Sequence, residues 1–165
     1  MATIYINSPL GPIELTATEA ALTSVHFVEA QKVISPKRTE TEPNAILIET
    51  AAQLDAFFEG KLQVFDLPLF AEGTPFQQRV WTELLEITYG KTASYLEMAI
   101  RLGDEKCIRA AATANGRNPI AIIIPCHRVI GSNGSLVGYG GDLWRKKWLL
   151  QHEMQYVPQK KDTLF

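Results

Sequence analysis

Two reciprocal helix caps, at Thr74–Gln77 and Ser94–Glu97, constrain the second half of this chain more than anything else in it. In "TPFQ", Thr74 offers a cap oxygen and Pro75 takes the first helical position, where its missing N–H is not needed. Gln77 stands where its side chain can reach back to the cap. Phe76, Val80, Leu84 and Ile87, with Trp81 and Leu85, then supply a broad apolar face, predicting a helix that stops at Gly90. "SYLE" repeats the pattern and opens a second helix ending at Gly103. A third starts between Asp104 and Cys107 and runs through the alanines to about Ala114. Two short helices joined by a Gly-containing turn are compatible with a helix-turn-helix.

The first third is patterned differently. "TIYINS" and "IELTAT" are β-prone runs around the turn Pro9-Leu10-Gly11-Pro12, and "LTSVHFV" reads as a third strand, with His26 an ordinary strand residue. Residues 31–44 are polar and proline-containing, a loop. "AILIETAAQLDAFFEG" is a helix with Gly60 as its stop signal. The expected fold is therefore α+β: a small antiparallel sheet-and-helix domain over residues 1–72, a mainly helical domain over 73–158, and a loose tail over 159–165.

Near the end of the helical half stands "NPIAIIIPCHRVIGSNG". Ile120–Ile124 reads as a buried strand or extended segment, and Cys126 and His127 follow it directly. "DLWRKKWLLQHE" is a last helix that begins at Asp142 and turns Trp144, Trp148 and Leu149 or Leu150 inward. Cys126 is one of only two cysteines, the other being Cys107. Two thiols make no disulfide framework, which favours a reducing compartment. Nothing at the N-terminus reads as a secretory signal, and no apolar run approaches the roughly 20 residues of a membrane span.

Charge divides the chain. Residues 1–74 carry 4 basic and 10 acidic residues, whereas 75–161 carry 12 basic and 7 acidic ones. A positive second half points to an anionic partner such as nucleic acid, although uneven solvated surfaces give the same count. Two motifs are excluded. "GKT" at 90–92 lacks the glycine that a phosphate-binding loop needs five residues earlier, since Leu85 is there, and "GYGG" lacks dinucleotide-loop spacing. No Cys/His pair has metal-finger spacing, so neither metal nor cofactor is expected.

A thiol with a pKa of about 8.5 is only a few per cent thiolate at pH 7, so a nucleophilic cysteine needs a base beside it and a carboxylate to orient that base. His127 supplies the first. Glu153 is the candidate for the second, because an anion near a helix C-terminus costs about 0.3–1 kcal/mol unless a partner offsets it. Taken alone, these residues read first as a core cysteine, a surface histidine and a solvated glutamate.

The stretch "NPIAIIIPCHRVIGSNGSLVGYGGDLWRKKWLLQHE" resembles the methylated-DNA–protein-cysteine methyltransferases, also called O6-alkylguanine-DNA alkyltransferases. The likeness extends through residues 75–153, and the first third is compatible with that family's N-terminal domain. The resemblance implies direct reversal of O6-alkylguanine damage, with O4-alkylthymine as a further lesion. Cys126 would take the alkyl group irreversibly, His127 would remove the thiol proton through a water, and Glu153 would orient the imidazole. Asn118 would steady this network. Tyr95 would protonate the leaving guanine and help rotate its phosphate. Arg109 would fill the gap left by the flipped nucleotide, while Arg128, Ala110 and Thr113 would meet DNA. Val129, Tyr139, Gly140 and Gly141 would line the substrate pocket.

The implied partner is double-stranded DNA carrying the lesion, bound in the minor groove by a monomer with no membrane contact, in the cytoplasm or, in a eukaryote, the nucleus. Cysteine at 126 separates the chain from the related lesion sensors that bind without repairing and carry tryptophan there. A hydrolase built on Cys126 and His127 would turn over repeatedly and ignore DNA. Two positions depart from the family pattern: Asp142 replaces the second glycine after the tyrosine-small pair, and Ala112-Thr113 replaces a frequent glycine pair in the DNA-binding helix.

Overall fold

A computed structural model describes residues 1–29, 44–136 and 142–157. Three strands, β1 (Ala2–Ile6), β2 (Ile13–Ala17) and β3 (Leu22–Phe27), form an antiparallel sheet in the order β1-β2-β3. The β1–β2 turn closes on Ser8, whose backbone carbonyl accepts from Gly11 N at 3.0 Å and whose hydroxyl accepts from Leu10 N at 3.0 Å. Gly11 sits there at φ +98, a conformation that disfavours any side chain. On β2 the period-2 alternation buries Ile13, Leu15 and Ala17. Helix α1 (Ala45–Phe58) packs near that sheet and buries Leu47, Leu54 and Phe57. Its cap, Asn44, accepts from Leu47 N and donates to Thr18 O, both at 3.0 Å, so one side chain both starts the helix and ties it to the sheet.

Both capping boxes form, opening α2 (Pro75–Leu84) and α3 (Tyr95–Arg101). Helix α2 ends six residues short of Gly90, which leaves Leu85 47% exposed instead of on the inner face. Downstream, a 3-10 turn (Glu105–Cys107) leads into α4 (Ile108–Gly116), completing the helix-turn-helix. Trp81 Nε1 donates to Ala114 O at 2.9 Å and locks α2 against α4. The last helix, α5, spans Leu143–Tyr156. Leu149 is buried on it as expected and Trp148 is half-buried, stacked on His152 at 4.7 Å, but Trp144 is 51% exposed. Asp142 precedes α5 at φ +81 and makes no side-chain cap bond; its carboxylate, largely in solvent, lies 3.4 Å from Arg145. Among the described residues no helix is long and apolar enough to cross a membrane.

Ile120, Ile122, Ile123 and Ile124 are buried and Ala121 half-buried, but the segment is not extended. Ile120 makes a single parallel bridge to Val25, with Val25 N donating to Pro119 O at 2.9 Å and Ala121 N to Val25 O at 3.1 Å. The chain then turns, and Ile122 adopts φ +72, a conformation rare for a β-branched residue. Asn118 organises the turn, accepting from Ile120 N at 2.9 Å and donating to Ile124 O at 2.7 Å. The third strand of the first domain thus braces the segment that carries Cys126. The expected loop at 31–44 falls, apart from Asn44, outside the described residues, as does the tail.

Candidate active site

Cys126, His127 and Arg128 share one 3-10 turn, and the short strand β5 (Val129–Ile130) follows at once. That strand pairs in parallel with β4 (Ala93–Ser94), directly before α3, so the start of α3 and Tyr95 are docked beside the cysteine turn. Helix α5 packs against the same turn. Its inward face carries Lys146, Leu149 and Glu153, spaced at three and four residues.

Asn118 Nδ2 donates to Cys126 Sγ at 3.2 Å, while Asn115 Nδ2, from α4, lies 3.4 Å from the Cys126 carbonyl oxygen. Burial pushes the Cys126 thiol up from its ordinary value; the Asn118 hydrogen bond and the Lys146 charge oppose that rise. At rest the sulfur is therefore a thiol that two neighbours prepare to ionise.

His127 is fully buried, with Nε2 2.6 Å from Glu153 Oε2. Burial lowers the His127 pKa against the pull of Glu153, so the ring is neutral near pH 7. Glu153 responds oppositely. Burial alone would raise it, but the hydrogen bonds and charges of His127 and Arg128 hold it down to about 2. A neutral imidazole facing a carboxylate must carry its proton on Nε2. Nδ1 is then the lone-pair side, buried and with no hydrogen-bond partner among the described residues. The ring is in the tautomer a general base needs.

Arg128, expected to meet DNA, points inward instead. It is 6% exposed, and its guanidinium donates to Glu153 Oε1 at 2.8 Å, to Glu153 Oε2 at 2.9 Å and to Ile87 O at 2.6 Å. Arg109, Ala110 and Thr113 do lie on the exposed face of α4, opposite the buried Ala111, Ala114 and Asn115. Arg109 makes no ion pair with Glu105. Tyr95 is buried at the start of α3; burial and the neighbouring Cys126 push its phenol up, which keeps it a proton donor at neutral pH. Val129 is fully buried behind the turn. Tyr139, Gly140 and Gly141 lie outside the described residues.

Two members of the site go unnoticed in the sequence. Asn115 hides in an alanine-rich helix. Lys146 hides in the run "RKK", which reads as a solvated charge cluster, yet it is fully buried with Nζ 5.7 Å from the Tyr95 ring centroid. Its position seven residues before Glu153, two helical turns away on the same face, is the signal that finds it. Burial brings the Lys146 ammonium down to about 8, with the Cys126 charge opposing the fall, so it remains largely cationic at pH 7. A cation beside a thiol favours the thiolate. Lys146→Met is therefore expected to move the pH profile of Cys126 alkylation to higher pH, followed with a small electrophile such as iodoacetamide. An unmoved profile would mean that the charge does not act on the sulfur.

Residues 75–155 match the family model described as 6-O-methylguanine DNA methyltransferase, DNA binding domain, and residues 1–71 match its ribonuclease-like domain. A methylated-DNA–protein-cysteine methyltransferase of Methanosarcina barkeri is 49% identical over 148 residues, covering 90% of this chain and 94% of the relative. Among solved structures, the Mycobacterium tuberculosis O6-methylguanine methyltransferase superposes with a TM-score of 0.80 at 41% identity, covering 95% of this chain and 94% of that one. A Mycobacterium tuberculosis OGT in complex with DNA gives 0.82 at 45% identity, covering 93% of each chain. With both domains matched by the family models and a relative 49% identical across 90% of this chain, the chain belongs to the methylated-DNA–protein-cysteine methyltransferase family.

Proposed function

We propose that Cys126 is the acceptor of the family's direct-reversal reaction on O6-alkylguanine in DNA. The observation that carries this reading is the buried line from Glu153 through His127 to the turn bearing Cys126, with Asn118 donating to the sulfur. The thiol proton leaves to His127 Nδ1, directly or across one water, while Glu153 steadies the imidazolium that forms. Sulfur attacks the alkyl carbon, the S–C bond forms and the C–O6 bond breaks. The electron pair stays on the guanine, Tyr95 gives it a proton, and the proton taken up by His127 returns to the tyrosinate through solvent. Atoms and charge balance with no cofactor. Because no step breaks the S–C bond, each chain reacts once.

The reacting cysteine is 6% exposed, so a stacked, paired base cannot present its alkyl group to it. The target nucleotide has to be turned out of the duplex, at a cost of a few kcal/mol. In this reading α4 meets the minor groove with its exposed face. Ala110 and Thr113 allow close approach, and Arg109 enters the space that the base vacates. The protein acts as a monomer.

Arg109→Ala is expected to slow repair of methylated duplex by roughly 10–100-fold, the range set by a few kcal/mol of lost compensation. Reaction with free O6-methylguanine base, which needs no flipping, should stay near the wild-type rate. Both rates are measured beside a thermal melt. Equal losses on the two substrates would place Arg109 in support of the pocket, and an unchanged duplex rate would remove it from the flipping step.

A further inference from the structure

We infer that Arg128 is a positioning residue of the reaction and not a DNA contact: it clamps both oxygens of Glu153 so that one fixed acceptor faces His127 Nε2. The inference deepens the assignment of Cys126 as nucleophile and rests on it.

All three guanidinium nitrogens are engaged, two on Glu153 and one on Ile87 O, and the cation lies 5.7 Å from the Tyr89 ring centroid. Three of its five N–H donors are spent inside the protein, and at 6% exposure the group is not presented to a phosphate. What it holds is specific. Oε2 of Glu153 is shared between Arg128 Nη2 and His127 Nε2, and Oε1 between Arg128 Nε and Gly90 N at 3.1 Å. A planar fork on a carboxylate fixes the plane of both groups, which a lysine ammonium cannot do. The orientation of the histidine ring then follows from the carboxylate. Ile87 O and Gly90 N anchor the far side of the cluster to the loop after α2, so the general base is held from two directions.

The charges facing this cluster give the pH consequence a definite sign. Glu153 is faced by His127 and Arg128 from the cysteine turn and by Tyr89 from the loop after α2, with Lys146 on its own helix. His127 is faced by Glu153 and Lys146 from α5 and by Arg128 beside it. Arg128 lowers both carboxyl and imidazole, so its removal raises both. Each change leaves less of the deprotonated pair at a given acid pH, and the acid limb of the alkylation profile moves up.

The test compares wild type with Arg128→Met and Arg128→Lys on three probes: methylated duplex, free O6-methylguanine base, and unmethylated duplex for affinity across a salt series. For Arg128→Met the expected result is a parallel loss on duplex and free base. That loss should approach about 100-fold, the scale of a small misplacement of a catalytic group. The acid limb should shift upward, with duplex affinity and its salt slope unchanged. Arg128→Lys keeps the charge and most of the stem but not the fork, so it should show a smaller parallel loss. If the methionine variant does not fold, the lysine variant carries the same comparison. Normal free-base reaction with weaker duplex binding, and a salt slope lower by about one, would make Arg128 a phosphate contact and overturn the inference. Wild-type rates and an unmoved profile in Arg128→Lys would overturn it as well. Failure of the parent assignment looks different: wild type itself would transfer no methyl to Cys126.

Discussion

One methyl group per chain, on Cys126 and on no other residue, is the expected product of incubating the protein with a methylated duplex. Cys107 provides an internal control. It is half-buried at the start of α4, with its sulfur 3.9 Å from Ala99 O, and its charged neighbours in sequence are Asp104, Glu105, Lys106 and Arg109. Cys126 differs in having Asn118 on its sulfur and the His127–Glu153 pair on the same turn. Cys126→Ser should lose transfer by at least about 10³-fold, since removing the nucleophile of such a unit costs more than removing its supports. Duplex binding should survive, because the exposed face of α4 does not involve Cys126. Intact mass and peptide mapping decide the outcome. Methyl on Cys107, transfer persisting in the serine variant, or more than one turnover per chain would each contradict the assignment.

What the sequence reveals here is what depends on neighbours in the chain. Both capping boxes are local chemistry between residues three apart, and both form as read. The three strands and α1 follow equally from local alternation and punctuation. The misreadings have long-range causes. Helix α2 ends at Leu84, and residues beyond it are engaged by the site: Ile87 O accepts from Arg128, and Gly90 N donates to Glu153. A run of five apolar residues does not distinguish a strand from a buried turn, and Asn118 bends this one by hydrogen-bonding to both its ends. Arg128 reads as a surface cation until Glu153, twenty-five residues later, folds onto it. Trp144 reads as core and lies outside, while Lys146, two positions on, reads as surface and lies inside. Residue type alone does not decide either position; the α5 face shared with Glu153 does.

Glu153→Ala should be the most damaging substitution to the fold among the site residues, and acid should reproduce part of its effect in wild type. The carboxylate accepts from four donors: His127 Nε2, Arg128 Nε and Nη2, and Gly90 N. Alanine satisfies none of them and leaves Arg128 a buried cation without its counter-ion, which costs about 3–5 kcal/mol. In a chain of this size that corresponds to a fall in melting temperature of roughly 6–20 °C. Glu153→Gln keeps the shape and one acceptor oxygen, so its loss should be smaller, but its amide N–H₂ opposes a donor and the histidine tautomer is no longer imposed. Because Glu153 is held down to about 2 in the folded chain, below the ordinary glutamate value of about 4.3, its pairing contributes fully above about pH 4.3 and is lost as the pH falls toward 2. The melting-temperature gap between wild type and Glu153→Gln should therefore be widest near neutrality and close across that acid window. Paired melts at pH 7, 4 and 3 read this directly. A gap that stays constant with pH, or a Glu153→Ala protein that melts within a degree or two of wild type, would show that the buried network does not hold the site together.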